Sequence, residues 1–215
     1  IPAISDYAKG KLSLAELEEL DMDDLLGRTQ VEPFESLMNK NTFGKTILVT
    51  GAGGSIGSEL CRQIIKLKPK KLLLLEISEY ALYAINAELE ALNDKARIEL
   101  IPLIGSIQDR ERVDKIIEIW KPATIYHAAA YKHVPIVEHN IIEGLKNNVF
   151  GTLNIAESAL RNNVSDFVFI STDKAVRPTN IMGVTKRLGE LILQSLNNEN
   201  SLDMNNKMNT KFTIV

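Results

Sequence analysis

The sequence predicts an α/β fold built on a doubly wound parallel sheet. From Lys45 onwards, short apolar runs alternate with stretches whose apolar residues recur at helical spacing. The runs are apolar almost throughout, as expected of parallel strands that are covered by helices on both faces. The first run leads directly into a glycine-rich turn and a helix, which is typical of the Rossmann type of this fold.

Six strands and five helices account for this pattern. The predicted strands are Thr46–Thr50, Lys71–Glu76, Arg97–Pro102, Thr124–His127, Phe167–Ser171 and Phe212–Val215. The predicted helices are Glu59–Lys66, Ser78–Leu92, Arg110–Trp120, Ile142–Arg161 and Gly183–Leu196. Right-handed crossovers through such helices place successive strands in one sheet. The Asn-rich residues 197–210 predict a surface loop before the last strand.

Residues 1–40 differ from the rest and predict a helical linker segment, so that the Rossmann-type domain spans residues 41–215. Ser13 and Glu16 form a capping box ahead of leucines at helical spacing. Acidic residues are frequent there, and a solvated helix face explains them at least as well as a docking surface does.

Both ends of the chain indicate a piece of a longer protein. The chain begins at Ile1 rather than at Met, and it ends at Val215 inside a strand-like run. We therefore expect a C-terminal substrate domain that is absent from this chain and follows Val215.

Composition argues against several classes of function. Lys and Arg total 25 against 28 Asp and Glu, and the net charge of -3 gives no general attraction for nucleic acid. No apolar stretch approaches the roughly 18 residues of a membrane span. The single Cys61 and three histidines at six-residue intervals predict neither a disulfide framework nor a metal site. We expect a soluble, cytoplasmic chain.

The glycine-rich turn, Thr50-Gly-Ala-Gly-Gly-Ser-Ile-Gly57, lies between the first strand and its helix. Backbone N–H groups at a helix N-terminus, unobstructed by side chains, suit the pyrophosphate of a dinucleotide. A tight turn without a ligand is the alternative, but the flanking strand and helix favour binding. The predicted contacts are Gly51, Gly53, Gly54, Ser55, Ile56 and Gly57.

Glu76 ends the second predicted strand, 19 residues after Gly57. A carboxylate there can accept hydrogen bonds from both adenosine ribose hydroxyls, and its charge repels a 2′-phosphate. NAD is therefore the expected cofactor. NADP is the alternative if Arg or Lys residues of a neighbouring loop pair with that phosphate. The Walker A lysine pattern is absent, so a nucleoside triphosphatase is poorly supported.

Three later motifs narrow the interpretation. They are His127-Ala-Ala-Ala-Tyr-Lys-His-Val-Pro135, Asn148-Val-Phe-Gly-Thr152, and Ser171-Thr-Asp-Lys-Ala-Val-Arg-Pro-Thr-Asn180 with Met182-Gly-Val-Thr-Lys186. With the glycine-rich turn, they resemble the CapD-type polysaccharide biosynthesis proteins of the extended short-chain dehydrogenase/reductase superfamily. The resemblance implies a nucleotide-sugar 4,6-dehydratase acting on UDP-N-acetylglucosamine, and a homo-oligomer.

The resemblance also assigns the cofactor side of the site. Ala128, Ala129 and Ala130 follow the fourth strand, where small side chains leave room for the nicotinamide ribose; close packing alone is the other reading. Ser106 occupies the position at which many relatives place an Asp beside the adenine amino group. Ile107 is expected to pack on the adenine ring.

The catalytic side follows the fifth strand, at the sheet edge where ligands bind in open parallel sheets. Ser171 and Thr172 are expected to project into this crevice, with Asp173 and Lys174 as acid and base. An exposed ion pair is the alternative for the last two. By resemblance, Asn148 bends its helix and orders a water; a surface Asn is the alternative.

Lys186 lies four residues after Met182, so both share a helix face. In the superfamily this spacing belongs to Tyr-x-x-x-Lys, in which the Tyr removes a hydroxyl proton and the Lys holds the nicotinamide ribose. Met182 has no proton to exchange and cannot be the base. The resemblance identifies this Met with a long, membrane-anchored branch of the family. Lys132 is a further candidate for contacting substrate.

The implied reaction oxidises C4 of the sugar transiently. Lys174 then removes the proton on the adjoining carbon, and Asp173 protonates the departing 6-hydroxyl. Lys174 needs a lowered pKa for this role, and Asp173 needs a raised one. The 4-hydroxyl proton has several candidate acceptors: Ser171 or Thr172 through a water, Asp173, or Lys186.

Two other functions remain open at this level. The chain can be a cofactor-binding module without independent catalysis, or part of a nucleotide-sugar epimerase. The Asp173-Lys174 pair argues against an epimerase, since epimerisation at C4 needs no acid for a 6-hydroxyl. The longer protein is expected at the cytoplasmic face of the inner membrane, anchored by segments before Ile1.

Overall fold

One parallel sheet of six strands organises the chain, in the order β3-β2-β1-β4-β5-β6. The computed structural model describes residues 35–93, 98–202 and 210–215. The strands are β1 (Thr46–Thr50), β2 (Lys71–Glu76), β3 (Glu99–Ile104), β4 (Thr124–His127), β5 (Asp166–Phe169) and β6 (Lys211–Ile214). This order is that of a dinucleotide-binding Rossmann sheet, and it confirms the predicted fold class.

Helices connect the strands and cover both faces of the sheet. The α-helices are α1 (Glu35–Thr42), α2 (Ser55–Lys66), α3 (Glu79–Leu92), α4 (Arg110–Trp120), α5 (Val134–His139), α6 (Ile141–Leu145), α7 (Gly151–Arg161) and α8 (Ile181–Leu202). A π-helix (Lys146–Phe150) joins α6 to α7, and a 3-10 turn (Asp173–Ala175) follows β5.

Two apolar layers hold the sheet between the helices. Successive strand residues point to opposite faces, so Ile47 and Val49 pack towards α2 and α3, whereas Leu48 packs towards α4, α7 and α8. Residues Leu72–Leu75 are all at most 1% exposed, as the sequence pattern predicts for a strand covered on both sides. Burying one such side chain fully stabilises the fold by roughly 1.5–3 kcal/mol.

The sheet has a topological switch point between β1 and β4, where successive strands begin to be added on the other side of β1. Chain connections run from β1 outwards to β2 and β3, and then on the other side of β1 from β4 to β5 and β6. Such a switch point opens a crevice at the carboxyl ends of the two central strands. The fold therefore places the loops after β1, β2, β4 and β5 around one site.

Several element boundaries differ from those predicted. Strand β3 extends to Ile104, beyond Pro102, because it is an edge strand and a proline there costs no ladder hydrogen bond. Strand β5 ends at Phe169, before Ser171. Helix α8 reaches Leu202, so the predicted loop over residues 197–210 starts too early; residues 203–209 of it lie outside the description.

The predicted helical linker, residues 1–40, lies largely outside the described residues, as does the predicted start of β3 at Arg97. Residues Ser36–Val215 form one compact unit. Helix α5, which begins with a proline in its first turn, was not among the predicted helices. None of the helices in the described ranges has the length and hydropathy of a membrane span.

Candidate active site

A cleft of about 450 Å³ lies at the carboxyl ends of the strands. This volume is within the range of small-molecule and cofactor sites. All the predicted cofactor contacts line it: Gly51, Gly53, Gly54, Ser55, Ile56, Gly57, Glu76, Ser106, Ile107, Ala128, Ala129, Ala130 and Lys186. Of the other predicted residues, Lys132, Ser171, Thr172, Lys174 and Met182 also line the cleft, whereas Asn148 and Asp173 do not.

The glycine-rich turn requires glycine at two positions. Gly51 has a φ of +66°, and a Cβ on it would lie 2.8 Å from the backbone of Ala129. A Cβ on Gly57 would lie 1.9 Å from the carbonyl oxygen of Gly51. Because glycine has no Cβ at these two positions, β1, the loop after β4 and the first turn of α2 can lie close together.

The N-terminus of α2 fits the pyrophosphate of a dinucleotide. Its N-cap, Gly54, has no side chain to occupy the helix end, and the first turn holds no acidic residue. Ser58 makes the first intrahelical bond, to Gly54, so the N–H groups before it have no partner within the helix. The turn is thus a cradle of backbone donors at the positive end of a helix dipole.

Glu76 is held at the rim of this cradle by three backbone N–H groups. Gly53 donates to its Oε2 at 3.0 Å, and Ile77 and Ser78 donate to its Oε1 at 2.9 and 3.0 Å. A carboxylate accepts about four hydrogen bonds. One acceptor site is therefore left for a ribose hydroxyl without loss of a backbone bond, rather than the two that the sequence-based prediction assumed.

Beneath the cleft floor, His127 links β1 to the helix after the π-turn. Its Nδ1 lies 2.6 Å from Thr50 Oγ1, and its Nε2 lies 3.0 Å from Thr152 Oγ1. Since the Thr152 hydroxyl donates to the Asn148 carbonyl, Nε2 carries the proton and Nδ1 accepts from Thr50. Complete burial, with the positive charge of Lys186 nearby, lowers the pKa of His127 to about 3. The ring is neutral at ordinary pH.

Asn148 lies in the π-helix, which interrupts the single helix predicted over Ile142–Arg161. Its Oδ1 accepts from Tyr131 N and from the Asn147 side chain, and its Nδ2 donates to Tyr131 O and Thr185 Oγ1. All four hydrogen-bonding positions of the amide are therefore used, and the alternative of a surface Asn is wrong because the residue is only 1% exposed. Asn148 instead fixes the loop after β4 to helix α8.

Lys186 and Met182 both reach the cleft from the start of α8. The Lys186 ammonium donates to the Ile170 carbonyl at 2.6 Å and lies 4.1 Å from the centre of the Phe169 ring. Burial lowers the pKa of Lys186 to about 8, an effect that the charge of Glu190 opposes. Met182 is only 4% exposed. Its thioether lies at the position where the Tyr-x-x-x-Lys spacing would place a tyrosine.

Asp173 and Lys174 are neighbours at the open side of the cleft. Their charged atoms lie 3.8 Å apart, and their side chains are 90% and 52% exposed. The Thr172 hydroxyl, followed by the Lys174 charge, holds the pKa of Asp173 below its usual range. The predicted rise in this pKa is therefore wrong for the chain by itself, because no apolar pocket surrounds the carboxylate.

Comparison with known sequences decides the family. Residues 47–215 match the family described as "Polysaccharide biosynthesis protein". This chain belongs to the polysaccharide biosynthesis protein family. The sequence-based resemblance to the CapD type is thereby confirmed.

Two relatives of this polysaccharide biosynthesis protein illustrate the match. The capsular polysaccharide biosynthesis protein CapD of Staphylococcus aureus is 48% identical over 201 residues, which cover 94% of this chain and 33% of CapD. The UDP-N-acetylglucosamine 4,6-dehydratase (inverting) of Campylobacter jejuni serotype O:23/36 is 31% identical over 156 residues, covering 72% of this chain and 44% of that enzyme. The chain thus spans between a third and a half of these relatives.

A solved structure agrees with the fold. The structure of Pen from Bacillus thuringiensis superposes with a TM-score of 0.72 at 29% sequence identity. The likeness covers 80% of this chain and 49% of that one.

Several residues of the site in this polysaccharide biosynthesis protein were not predicted from the sequence. Tyr131 and Asn147 line the cleft, and Glu190 accepts a hydrogen bond from Ser171 beneath it. Tyr131 directly follows Ala130 in the motif His127–Pro135, but it was not among the predicted site residues. Glu190 falls four residues after Lys186, on the same face of α8, and this spacing is the one signal that would have indicated it.

Proposed function

We propose that this family member is a nucleotide-sugar 4,6-dehydratase acting on UDP-N-acetylglucosamine with bound NAD. The observation that carries the proposal is the composition of a single cleft. A backbone cradle for a dinucleotide lies at one end, and Ser171, Lys174 and Lys186 lie at the other. The name of the Campylobacter relative supports the same substrate.

NAD would be held by the first turn of α2, by Glu76 and by the alanines after β4. Bound there, it supplies a reversible hydride acceptor. The Glu76 carboxylate favours NAD because its charge opposes a 2′-phosphate. NADP is the alternative, and titration with both dinucleotides separates the two.

Lys174 is assigned as the base that removes the proton next to the sugar carbonyl, and Asp173 as the acid for the departing 6-hydroxyl. Lys174 lines the cleft and Asp173 lies next to it without lining it, and both side chains are exposed in this chain. A bound sugar that contacts both side chains would shield them from solvent, and burial raises the pKa of a carboxylate and favours a neutral amine. We therefore assign these protonation states to the substrate-bound protein.

The proposal is tested by Lys174→Ala and Asp173→Asn in the full-length protein. Each is expected to lower kcat for UDP-N-acetylglucosamine by about 10²-fold or more, as for loss of a general base or acid. Lys115→Ala is a matched control, since it removes a lysine that pairs with Glu111 on the exposed face of α4. Full turnover by both variants would overturn the assignment.

A cofactor-binding module without catalysis is the second candidate, and the exposure of Asp173 and Lys174 in this chain favours it. Calorimetric titration separates the two functions. Binding of NAD without binding of the UDP-sugar supports the module, whereas binding of both supports the enzyme. An epimerase is distinguished by its product, which keeps the mass of the substrate.

A further inference from the structure

Met182 leaves the proposed reaction without a proton acceptor at the sugar 4-hydroxyl. Oxidation of an alcohol carbon releases a proton from the hydroxyl as well as a hydride from carbon. The thioether of Met182 cannot take that proton. Some other group in the cleft must therefore accept it.

Ser171 has a buried carboxylate behind it. Its Oγ donates to Glu190 Oε1 at 2.5 Å, a short distance typical of a hydroxyl bound to an ionised carboxylate. The other oxygen of Glu190 accepts from Arg187 at 2.7 Å. Glu190 is only 8% exposed. The Ser171 hydroxyl is thus hydrogen-bonded to a carboxylate that Arg187 holds in place and that can accept its proton.

The Glu190 contact determines how Ser171 can meet a ligand. A serine hydroxyl has one proton and two acceptor lone pairs, and here the proton points to Glu190. Ser171 also lines the cleft. Towards the cleft, its oxygen is therefore an acceptor, matched to a ligand hydroxyl that donates.

We propose that Glu190, acting through Ser171, replaces the missing tyrosine as the proton acceptor for the sugar 4-hydroxyl. The inference rests on the proposed function. The 4-hydroxyl proton passes to Ser171 Oγ while the proton of Ser171 passes to Glu190 Oε1. Bound NAD in its oxidised form would supply the acceptor for the hydride from C4, so that a carbonyl forms at C4. The proton held by Glu190 returns through Ser171 to water after the product has left.

The other candidates have different contacts. The Lys186 ammonium already donates to the Ile170 carbonyl and lies on the Phe169 ring, so it acts as a donor. The Thr172 hydroxyl donates to Asp173, whose exposed carboxylate is assigned to the 6-hydroxyl. Among the groups described at the cleft, the Ser171 and Glu190 pair combines an acceptor oxygen facing the ligand with a buried carboxylate.

The first test uses Glu190→Gln in the full-length protein, because glutamine keeps the size of the side chain but accepts no proton. The rate of appearance of reduced nicotinamide in a single turnover with UDP-N-acetylglucosamine is expected to fall by about 10²-fold, with KM changed by less than about threefold. Ser171→Ala is expected to give a similar loss. Glu157→Gln, which removes an arginine-paired carboxylate on α7, is the control and is expected to keep the wild-type rate.

The second test measures binding alone. Because Ser171 accepts and does not donate, the wild type is expected to bind the UDP-sugar about tenfold more tightly than its analogue with fluorine in place of the 4-hydroxyl. Ser171→Ala is expected to remove that preference. Equal affinity of the wild type for both sugars would overturn the inference.

The outcomes separate the two proposals. If the wild type dehydrates the sugar and Glu190→Gln keeps its rate, the inference is wrong and the proposed function stands. If the wild type binds neither sugar, the proposed function is wrong and the inference falls with it. If Glu190→Gln loses both the rate of nicotinamide reduction and the binding of NAD, that variant is misfolded. The affinities of Ser171→Ala for the UDP-sugar and its fluorinated analogue then decide whether the inference holds.

Discussion

At the scale of single residues, the site depends on buried polar groups such as His127, whose hydrogen-bond partners are supplied by the fold. His127 is buried among Thr50, Thr152 and two phenylalanine rings, and its neutral form satisfies both hydroxyls. Protonating the ring would place a new Nδ1 donor against the Thr50 hydroxyl, which donates to that atom in the neutral form, and would bury a charge beside Lys186. A buried neutral histidine therefore stabilises the fold and makes it sensitive to acid.

The pH dependence follows from the pKa of His127, about 3 in the fold against an ordinary value of 6.5. Between these values, the unfolded chain binds a proton that the native chain does not, so stability is lost as pH falls below about 6.5. Lowering the pH from 6.5 to 4.5 is expected to reduce the free energy of unfolding of the wild type by about 2 kcal/mol more than that of His127→Asn. Urea unfolding at the two pH values measures this difference. His139→Asn, at an exposed position, is the control. An unchanged acid slope in His127→Asn would contradict this explanation.

Some of these residues could be predicted and others could not. The glycines, Glu76 and Lys186 stand at fixed offsets from a strand or in a short motif, so local sequence indicated them. The contact of Ser171 with Glu190 depends on how α8 packs beside β5, which no spacing specifies. The exposure of Asp173 likewise depends on what covers the cleft, and an Asp-Lys dipeptide carries no information about that.

At the scale of elements, the strands were predicted well because each is a mainly apolar run, and in β1 and β2 that run is almost completely buried. The helix over residues 142–161 was predicted as one helix bent at Asn148, and the π-helical form of the turn at that position was not predicted. The turn is stabilised by Asn148, whose partners Tyr131 and Thr185 lie 17 and 37 residues away along the chain. Only the folded structure brings these groups together.

Asn148 gives a prediction about the stability of these elements. Asn148→Leu keeps the volume but leaves the Tyr131 backbone groups and the Thr185 hydroxyl without their partner, which is expected to cost about 2–4 kcal/mol. Urea unfolding measures this loss. Asn162→Leu removes one bond, to the Ser158 carbonyl at a helix end, and is expected to cost less than about 1 kcal/mol. Equal losses of unfolding free energy in the two variants would contradict the prediction that the Asn148 contacts stabilise the π-helix more than an ordinary side-chain hydrogen bond does.

At the scale of the whole molecule, an apolar surface remains on the helices beside the site. Phe150 on the π-helix and Leu188 and Leu191 on α8 are 57%, 37% and 45% exposed, and these helices pack against each other. Exposed apolar side chains that cluster on one face are typical of an interface. We propose this surface as the contact through which the chain forms a homo-oligomer.

The proposed oligomer is tested by sedimentation. The full-length protein is expected to sediment as a dimer or larger assembly, and Leu191→Glu is expected to shift it towards the monomer because a charge cannot be buried there unpaired. Ile119→Glu, at an exposed apolar position on α4, is the matched control and should not change the assembly. A monomeric wild type would contradict the proposal.

The central proposal is that the cleft between β1 and β4 is part of a sugar 4,6-dehydratase. The mass of the product made by the full-length protein from UDP-N-acetylglucosamine with NAD tests it most directly. We expect a product lighter by one water, formed without net consumption of NAD, and we expect Lys174→Ala not to form it. A product of unchanged mass, or no conversion although both ligands bind, would contradict it.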